Sequence, residues 1–289
     1  MVRLRKEKDI LRDSLFRERI KMTKKKKVVL GTSIAGGSLL VAILLGLVLT
    51  GYFVGWGPFR PLANIRFGKM EGNQEKYDVS KVEPLEESPL EGMNICYLGS
   101  SVTYGASSLG TSFVEYIAKR NKTTFVKEAI SGTTLSVSSS NGSSYIERME
   151  KLHKDEKFDM FVCQLSTNDA SRNVALGSVS DVDPKTVCGA INHIIDYAKK
   201  TWQCPMVFYT NAYYESASYA AMVASLKEIA ERKDVGVIDL YTDKTFNDIS
   251  SKERKLYMAD KIHPTKAGYL KWWTPKMEEH MYEMIGERK

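Results

Sequence analysis

Residues Val28–Trp56 form a long apolar stretch without a charged side chain, and this stretch constrains the fold more than any other feature. A helix needs roughly 20 apolar residues to cross the hydrocarbon of a bilayer, so this stretch is long enough. A secretory signal peptide has a shorter apolar core and ends at small residues. Here the stretch ends with Tyr52, Phe53 and Trp56, and aromatic rings are typical of the membrane interface. The pattern predicts a retained transmembrane helix over residues 28–56.

Positive charge is concentrated before this stretch. Residues 1–27 contain twelve Lys and Arg residues against four acidic ones, whereas the whole chain carries a net charge of +7. The rest of the chain is therefore close to neutral, which argues against a nucleic-acid-binding surface. Because basic segments beside a membrane span tend to stay in the cytoplasm, we expect a cytoplasmic tail at residues 1–27 and a cell-membrane protein with its main domain outside.

The composition and hydrophobic pattern of the remaining chain change near residue 91. Residues 57–90 mix four prolines with charged residues, as in VSKVEPLEESPLEG, which is typical of a linker. From residue 91 onward, short apolar runs alternate with longer amphipathic stretches, which indicates βαβ units around a parallel sheet. Residues 91–289 are numerous enough for one substantial core. The sequence therefore predicts an extracytoplasmic linker followed by a single α/β domain.

Five strands and five helices are expected in this domain. The strands are predicted at Asn94–Leu98, Thr124–Lys127, Phe158–Gln164, Pro205–Thr210 and Val235–Leu240. The helices are predicted at Ser112–Arg120, Tyr145–His153, Pro184–Thr201, Tyr219–Arg232 and Lys266–Ile285. The third and fourth strands are continuous apolar runs, which are typical of the centre of a parallel sheet. Ligands of such sheets bind outside the carboxyl ends of the strands.

Polar residues suited to acyl transfer stand at these positions. Ser101 follows the first strand, Gly132 the second and Asn168 the third, while Asp260 and His263 precede the last helix. A serine hydroxyl needs a base, which His263 can supply, and Asp260 can hold the imidazole in the correct tautomer. Backbone N–H groups of Ser101 and Gly132 and the side-chain amide of Asn168 can donate to an oxyanion.

Each residue also has a purely structural interpretation. Ser101 alone is typical of a turn, Asn168 of a strand-end cap, and His263 of a residue before a helix that Thr265 caps. Their joint occurrence, in this order after successive strands, favours the catalytic interpretation. The remaining histidines fall in helical stretches without a paired ligand, so we expect no metal site and no cofactor: His153, His193 and His280. Four cysteines show no metal-binding spacing, and we expect no obligatory disulfide among them: Cys96, Cys163, Cys188 and Cys204.

The same residues resemble the motifs of the SGNH hydrolase family, also called GDSL-type esterases and lipases. The segment Gly99-Ser100-Ser101-Val102-Thr103 is similar to its G-D-S-x-T motif, and Gly132 to the glycine of its second block. The segment Ser166–Asp169 is similar to G-x-N-D, and Asp260–Pro264 matches D-x-x-H-P in full. Ser100 replaces the aspartate of the first motif and Ser166 the glycine of the third.

The resemblance covers the chain from about residue 93 and implies a three-layer, flavodoxin-like α/β fold with a parallel five-stranded sheet. It implies that Ser101 is the nucleophile, His263 the base and Asp260 its partner. It also implies that Ser101, Gly132 and Asn168 donate to the oxyanion.

The expected function is a serine esterase that removes acyl groups, acetyl above all, from an extracellular carbohydrate or wall polymer. An O-acyltransferase acting on sugar hydroxyls and a catalytically silent carbohydrate-binding protein remain as alternatives. The rings of Tyr213 and Tyr214, after the fourth strand, can stack on a sugar or pack in the core. The expected partners are thus membrane lipid, through the anchor, and an acylated carbohydrate or other small ester.

Overall fold

The structure is a computed structural model, and it describes residues 14, 16–24, 37–54, 58–137 and 142–286. The chain divides into two compact units, Met1–Arg66 and Phe67–Lys289. In the first unit, residues 16–24 and 37–49 are α-helical, Thr50–Val54 form a π-helix and Arg60–Leu62 a 3₁₀-turn. Among the described residues, no helix combines the length and apolar character needed to cross a membrane. Residues 28–36 and 55–56 of the predicted span, and most of the basic tail, lie outside the described residues.

The second unit is built on one parallel sheet with the strand order β2-β1-β3-β4-β5. The strands are β1 (Asn94–Gly99), β2 (Thr124–Ala129), β3 (Met160–Gln164), β4 (Met206–Tyr209) and β5 (Gly236–Ile238). All five predicted strands are confirmed, with ends that differ by at most two residues. The order in which successive strands are added to the sheet changes direction at β1, because β2 lies on one side of β1 and β3 on the other. Ligands bind at such switch points, so the crevice at the carboxyl ends of β1 and β3 is the expected site.

Ten helices of the second unit surround the sheet among the described residues. They are α1 (Ser101–Tyr104), α2 (Phe113–Asn121), α3 (Tyr145–Met149), α4 (Thr167–Ser171), α5 (Val187–Trp202), α6 (Ala217–Lys233), α7 (Lys244–Asn247), α8 (Ser251–Tyr257), α9 (Lys266–Gly268) and α10 (Thr274–Gly286). A π-helical segment, Tyr269–Trp273, joins the last two. A helix at Ala63–Gly68 and 3₁₀-turns at Glu71–Asn73, Glu75–Tyr77 and Val79–Lys81 precede the sheet. Each predicted helix overlaps one of these helices, but α3 ends at Met149, four residues before the predicted end, and the last predicted helix is divided among α9, the π-helical segment and α10. The short helices α1, α4, α7 and α8 were not predicted.

Strand side chains alternate between two apolar layers, as the pleat of a sheet requires. On one face, Cys96, Leu98, Phe161, Cys163 and Phe208 join the buried stripes of α5 and α6. On the other face, Ile95, Tyr97, Val162, Val207 and Tyr209 join α2 and α10. The predicted core-facing stripe of α5 is buried along its length: Val187, Ile191, Ile194, Ile195 and Ala198. Helices therefore cover both faces of the sheet, which gives the three-layer α/β architecture that the family resemblance implied.

The cysteine sulfurs belong to this packing. Cys96, Cys163 and Cys188 are buried, Cys204 is partly exposed, and all four are free thiols. Burial raises the pKa of the Cys96 and Cys163 thiols, so both stay protonated and pack as small apolar side chains.

The compact second unit begins at Phe67, earlier than the boundary at residue 91 that composition indicated. Residues 71–81 form three consecutive 3₁₀-turns, and the Tyr77 carbonyl accepts a hydrogen bond of 2.6 Å from the Tyr116 hydroxyl on α2. Val82 and Leu90 are buried in the layer that contains α2. Part of the predicted linker, from residue 67 to residue 90, is thus packed with the domain that it precedes.

Candidate active site

A tight turn at the end of β1 presents Ser101. A Cβ at Gly99 would lie 1.7 Å from Thr103 Oγ1, so only glycine allows α1 to fold back this closely on the strand. Ser101 is the first residue of α1, and its N–H therefore has no acceptor inside that helix. The residue is 7% exposed, so its hydroxyl lies at the edge of the core and is still accessible.

Three residues predicted to act together lie in one hydrogen-bonded row. His263 Nε2 is 2.8 Å from Ser101 Oγ, and His263 Nδ1 is 2.9 Å from Asp260 Oδ2. The second carboxylate oxygen of Asp260 is 3.0 Å from the same ring nitrogen. This order places the imidazole between a hydroxyl and a carboxylate, which is the geometry of a base that takes a proton from serine.

The loop before α9 fixes the carboxylate of Asp260. Its Oδ1 atom accepts hydrogen bonds of 2.8 Å from the backbone N–H groups of Ile262 and His263. Burial acts to raise the pKa of Asp260, but the hydrogen bond and charge of His263, together with these N–H groups, outweigh it and lower the pKa. Asp260 is therefore ionised at neutral pH and can stabilise a protonated imidazole.

Replacing Asp260 with Asn tests this electrostatic role. A carboxyl group whose pKa is lower in the folded than in the unfolded state stabilises the fold at pH values above its unfolded pKa of about 3.9. This stabilisation is lost as the pH falls through the pKa of the folded state. The amide keeps an oxygen for the two N–H groups but removes the charge. We expect the variant to melt at a lower temperature than the unsubstituted protein at neutral pH, and this gap to narrow below about pH 4. Thermal unfolding followed by circular dichroism from about pH 3 to about pH 8 measures the gap.

Asp181 offers a matched control, because N–H and hydroxyl donors from Asp183 and Thr186 also lower its pKa. The Asp181→Asn variant should show a similar narrowing but keep its esterase activity. A stability gap for Asp260→Asn that does not change with pH would contradict the assigned charge.

The opposite wall of the crevice is formed by α4. Ser166 caps this helix, and its hydroxyl accepts from the N–H groups of Asn168 at 3.1 Å and Asp169 at 3.4 Å. The Asn168 side-chain amide donates to the Thr133 carbonyl at 2.9 Å and to Ser100 Oγ at 3.3 Å. Asn168 thus links the loops after β1 and β2, and its longer bond to Ser100 is the one that can be exchanged for an oxyanion.

Two contacts hold the loop that contains Gly132 beside α4. The Arg172 guanidinium donates to the Gly132 carbonyl at 2.6 Å, and the Asp169 carboxylate accepts from the N–H groups of Leu135 at 2.8 Å and Ser136 at 3.2 Å. Burial raises the pKa of Asp169 in spite of these donors. Gly132 itself has a φ of 82°, in the left-handed region, and lies at the exposed rim of the crevice. Gly132 is thus anchored through its carbonyl.

Comparison with known proteins identifies the family. The profile of the GDSL-like Lipase/Acylhydrolase family matches residues 97–271, more than half of the chain. The chain belongs to this family. It is therefore an ester-hydrolysing enzyme, and the interpretation as a catalytically silent binding protein is not retained. A comparison with curated protein sequences finds no significant match.

Solved structures share the fold of this acylhydrolase. A protein from Lactobacillus plantarum is 18% identical, with a TM-score of 0.58 and coverage of 69% of this chain and 99% of its own. A protein described as a GDSL-like lipase from Bacteroides ovatus is also 18% identical, with a TM-score of 0.50 and coverage of 69% and 100%. A protein described as a possible lipase from Chitinophaga pinensis is 14% identical, with a TM-score of 0.53 and coverage of 67% and 99%.

Gln164, which was not predicted from the sequence to belong to the site, supports the turn that carries Ser101. Its side-chain oxygen accepts from the Ser100 N–H at 2.9 Å and the Thr103 hydroxyl at 2.8 Å. Thr103 Oγ1 is also 2.6 Å from the Tyr209 hydroxyl on β4. The sequence signal was the position of Gln164 at the end of the apolar run of β3. A buried side-chain amide needs hydrogen-bond partners, so this position indicated polar contacts nearby.

Arg148 is a second missed residue, and it joins the ends of β1 and β2. The side chain is buried, and its guanidinium donates to the carbonyls of Gly99 at 2.8 Å and Glu128 at 2.7 Å and to Thr133 Oγ1 at 3.1 Å. The sequence signal was a charge on the otherwise apolar face of the predicted helix at residues 145–153. Arg148 therefore holds together the two strand ends from which Ser101 and Gly132 project.

Of the other three histidines, His193 and His280 lie in α5 and α10 as predicted, whereas His153 lies beyond the end of α3 at Met149 and not in a helix. His193 Nε2 lies 2.9 Å from a Glu150 oxygen, and His280 Nδ1 lies 3.3 Å from a Glu283 oxygen. Across the described ranges, no group of His, Cys, Asp and Glu side chains could hold a metal ion.

Proposed function

We propose that this acylhydrolase is a serine esterase that removes acyl groups, acetyl above all, from a carbohydrate outside the cell. The observation that carries the proposal is the continuous hydrogen-bonded row of Ser101, His263 and Asp260. In this proposal Ser101 is the nucleophile, His263 the general base and Asp260 the group that orients the imidazole and stabilises its charged form.

The chemistry proceeds in two balanced steps. Ser101 Oγ attacks the ester carbonyl carbon while His263 Nε2 takes the hydroxyl proton, and the oxyanion accepts from the donors of Ser101, Gly132 and Asn168. The carbon–oxygen bond to the alcohol breaks, the alcohol leaves with the proton from His263, and the acyl group stays on Ser101. Water then attacks the acyl-enzyme with the help of the same base, which releases the acid and restores Ser101.

An open crevice favours an ester carried on a large substrate. Half of the Asp260 side chain and 24% of the His263 side chain are exposed, so the row is not enclosed. Tyr213 lies in the loop after β4, the strand that pairs with β3. Its side chain is 51% exposed, and its ring centroid is 5.3 Å from that of Tyr241. A supported, exposed aromatic ring is suited to stack on a sugar. Tyr214 packs among other tyrosines instead, with its ring centroid 5.1 Å from that of Tyr219.

The location outside the cell is part of the proposal and rests on the sequence of the first unit. The uncharged residues 28–56 would anchor the chain, and the basic residues 1–27 would stay in the cytoplasm. Labelling of intact cells with a membrane-impermeant amine reagent tests this orientation. Lysines of the second unit should react without lysis, and protection of these lysines would contradict the proposal.

Acyl-chain preference tests the substrate. The 289-residue chain in detergent is assayed on p-nitrophenyl acetate and butyrate and on an acetylated oligosaccharide, with acetate release followed. We expect kcat/KM for acetate to exceed that for butyrate by at least about tenfold, because an acyl site fitted to acetyl would reject the two added methylenes of butyrate. The Tyr213→Ala variant should raise KM on the oligosaccharide and leave the p-nitrophenyl acetate reaction unchanged.

Faster turnover of longer esters would overturn the acetyl assignment, and an unchanged oligosaccharide KM in Tyr213→Ala would overturn the role of this ring. Mass spectrometry of reactions that contain a free sugar distinguishes the alternative activity. An O-acyltransferase would yield acylated sugar in place of free acetate, since both activities share the acyl-enzyme.

A further inference from the structure

Asn73 lies in the 3₁₀-turns that precede the sheet, yet it contacts loops from both sides of the active site. The residue is 4% exposed. Its side-chain nitrogen donates to the carbonyls of Phe67 at 2.9 Å and Ser107 at 2.8 Å, and its side-chain oxygen accepts from the Lys266 N–H at 2.9 Å. Both amide hydrogens and the amide oxygen are therefore used, which fixes the orientation of this side chain.

Two of these partners lie close to the reacting residues. Ser107 belongs to the loop after α1, and the N–H of the preceding residue, Ala106, donates to the Ser101 carbonyl at 2.9 Å. Lys266 begins α9 and stands three residues after His263. Asn73 consequently bridges the loop that carries the nucleophile and the loop that carries the base.

The backbone at Gly72, next to Asn73, is closely packed against neighbouring residues. A Cβ at Gly72 would lie 2.1 Å from the Leu256 carbonyl oxygen and 2.4 Å from Thr265 Oγ1. Thr265 caps α9, and the Lys266 ammonium forms an ion pair with Asp78 from the same 3₁₀-turns. Residues 71–81 thus pack directly on the start of α9, next to the histidine loop.

We propose that Asn73 is a positioning residue that sets the distance between Ser101 Oγ and His263 Nε2. This inference rests on the proposed function, because it assumes that these two atoms exchange a proton. Asn73 touches no reacting atom, and its hydrogen bonds reach the site through Ser107 and Lys266. Its loss should therefore slow the chemical step and leave substrate binding unchanged.

The test compares Asn73→Ala with Asn192→Ala. Asn192, on α5, is buried to a similar degree, and its side-chain nitrogen also donates to two carbonyls, those of Val179 at 3.1 Å and Asp181 at 2.9 Å. Both variants should lose thermal stability. Only Asn73→Ala should lower kcat on p-nitrophenyl acetate, by about 10- to 100-fold, because a misplacement of about 1 Å has an effect of this size. KM should stay within about twofold.

Assays are run on the 289-residue chain at a temperature at which circular dichroism shows every variant to be folded. The labelling rate of Ser101 by a fluorophosphonate gives a second readout and should fall together with kcat. Gly72→Ala, which displaces the same segment, should reproduce the kinetic loss. If Asn73→Ala does not fold, Asn73→Ser and Gly72→Ala are judged by the same criterion.

A folded Asn73→Ala variant with kcat within about twofold of the unsubstituted protein overturns the positioning role. An equal kcat loss in Asn192→Ala also overturns it, because the effect would then reflect general destabilisation. Failure of the proposed function gives a different pattern, in which Ser101→Ala keeps its activity. If Ser101→Ala is inactive and Asn73→Ala is unaffected, only the positioning role fails.

Discussion

Substituting Ser101 with Ala is expected to lower kcat on p-nitrophenyl acetate by about 10⁴- to 10⁶-fold. The substitution removes the oxygen that lies 2.8 Å from His263 Nε2, and with it the atom that would carry the acyl group. His263→Ala should lower kcat by a similar factor, because a nucleophile and its base act as a unit. The double variant should be hardly slower than either single one.

Ser100 provides a control from the adjacent position. It is buried, and its hydroxyl lies near Gln164 and Asn168, at 3.4 Å and 3.3 Å. Ser100→Ala should change kcat by less than about tenfold, since one neutral hydrogen bond contributes little. Mass spectrometry of fluorophosphonate-labelled peptides identifies the modified residue. Label on Ser100, or an active Ser101→Ala variant, would show that the nucleophile is wrongly assigned.

The centre of the sheet could be predicted because its strands β1, β3 and β4 are buried on both faces. Runs such as MFVC in β3 are then continuously apolar, and turn residues mark their ends. The long helices were equally visible, because α5 and α10 each extend over several turns. Hydrophobic periodicity needs a window of about 11 to 18 residues, and α1 and α4 have four and five residues. They are defined by caps and tertiary contacts instead.

The packing of residues 67–90 could not be predicted from composition. Prolines and charges made this segment resemble a linker, and its 3₁₀-turns carry no helical or strand periodicity. The apolar residues that hold it, such as Tyr77 and Val82, are isolated in the sequence. Asn73 is the clearest case, because its partner Lys266 lies 193 positions away along the chain. No local pattern indicates a contact of that range.

The two motif positions that differ from the family pattern have structural explanations. Ser100 donates toward Gln164 and accepts from Asn168, so its hydroxyl lies between two residues that shape the crevice. Ser166 caps α4 through two backbone N–H groups, a contact that glycine could not make. Neither position belongs to the row of Ser101, His263 and Asp260, whose hydrogen bonds are all formed in this chain.

Asn168→Ala should lower kcat by about 10²- to 10³-fold, which corresponds to about 2.7–4 kcal/mol of lost oxyanion stabilisation. In the structure the side-chain amide of Asn168 bonds to the Thr133 carbonyl and, at the longer distance of 3.3 Å, to Ser100 Oγ. The hydrogen directed at Ser100 can turn to the oxyanion while the bond to Thr133 holds the amide in place. KM should change little, because the donor acts in the transition state.

The Asn168→Ala variant also loses the hydrogen bond to Thr133, and a loop displaced by this loss could slow the reaction as well. Two measurements distinguish this effect from the loss of an oxyanion donor. Ser171→Ala, which removes a 3.1 Å bond from the Ser171 hydroxyl to the Asn168 carbonyl, perturbs the same helix and should keep its activity. Acylation and deacylation both pass through an oxyanion, so pre-steady-state measurements should find both half-reactions slowed by a similar factor in Asn168→Ala. A defect confined to one half-reaction would indicate a displaced loop and contradict a role for Asn168 in the oxyanion hole.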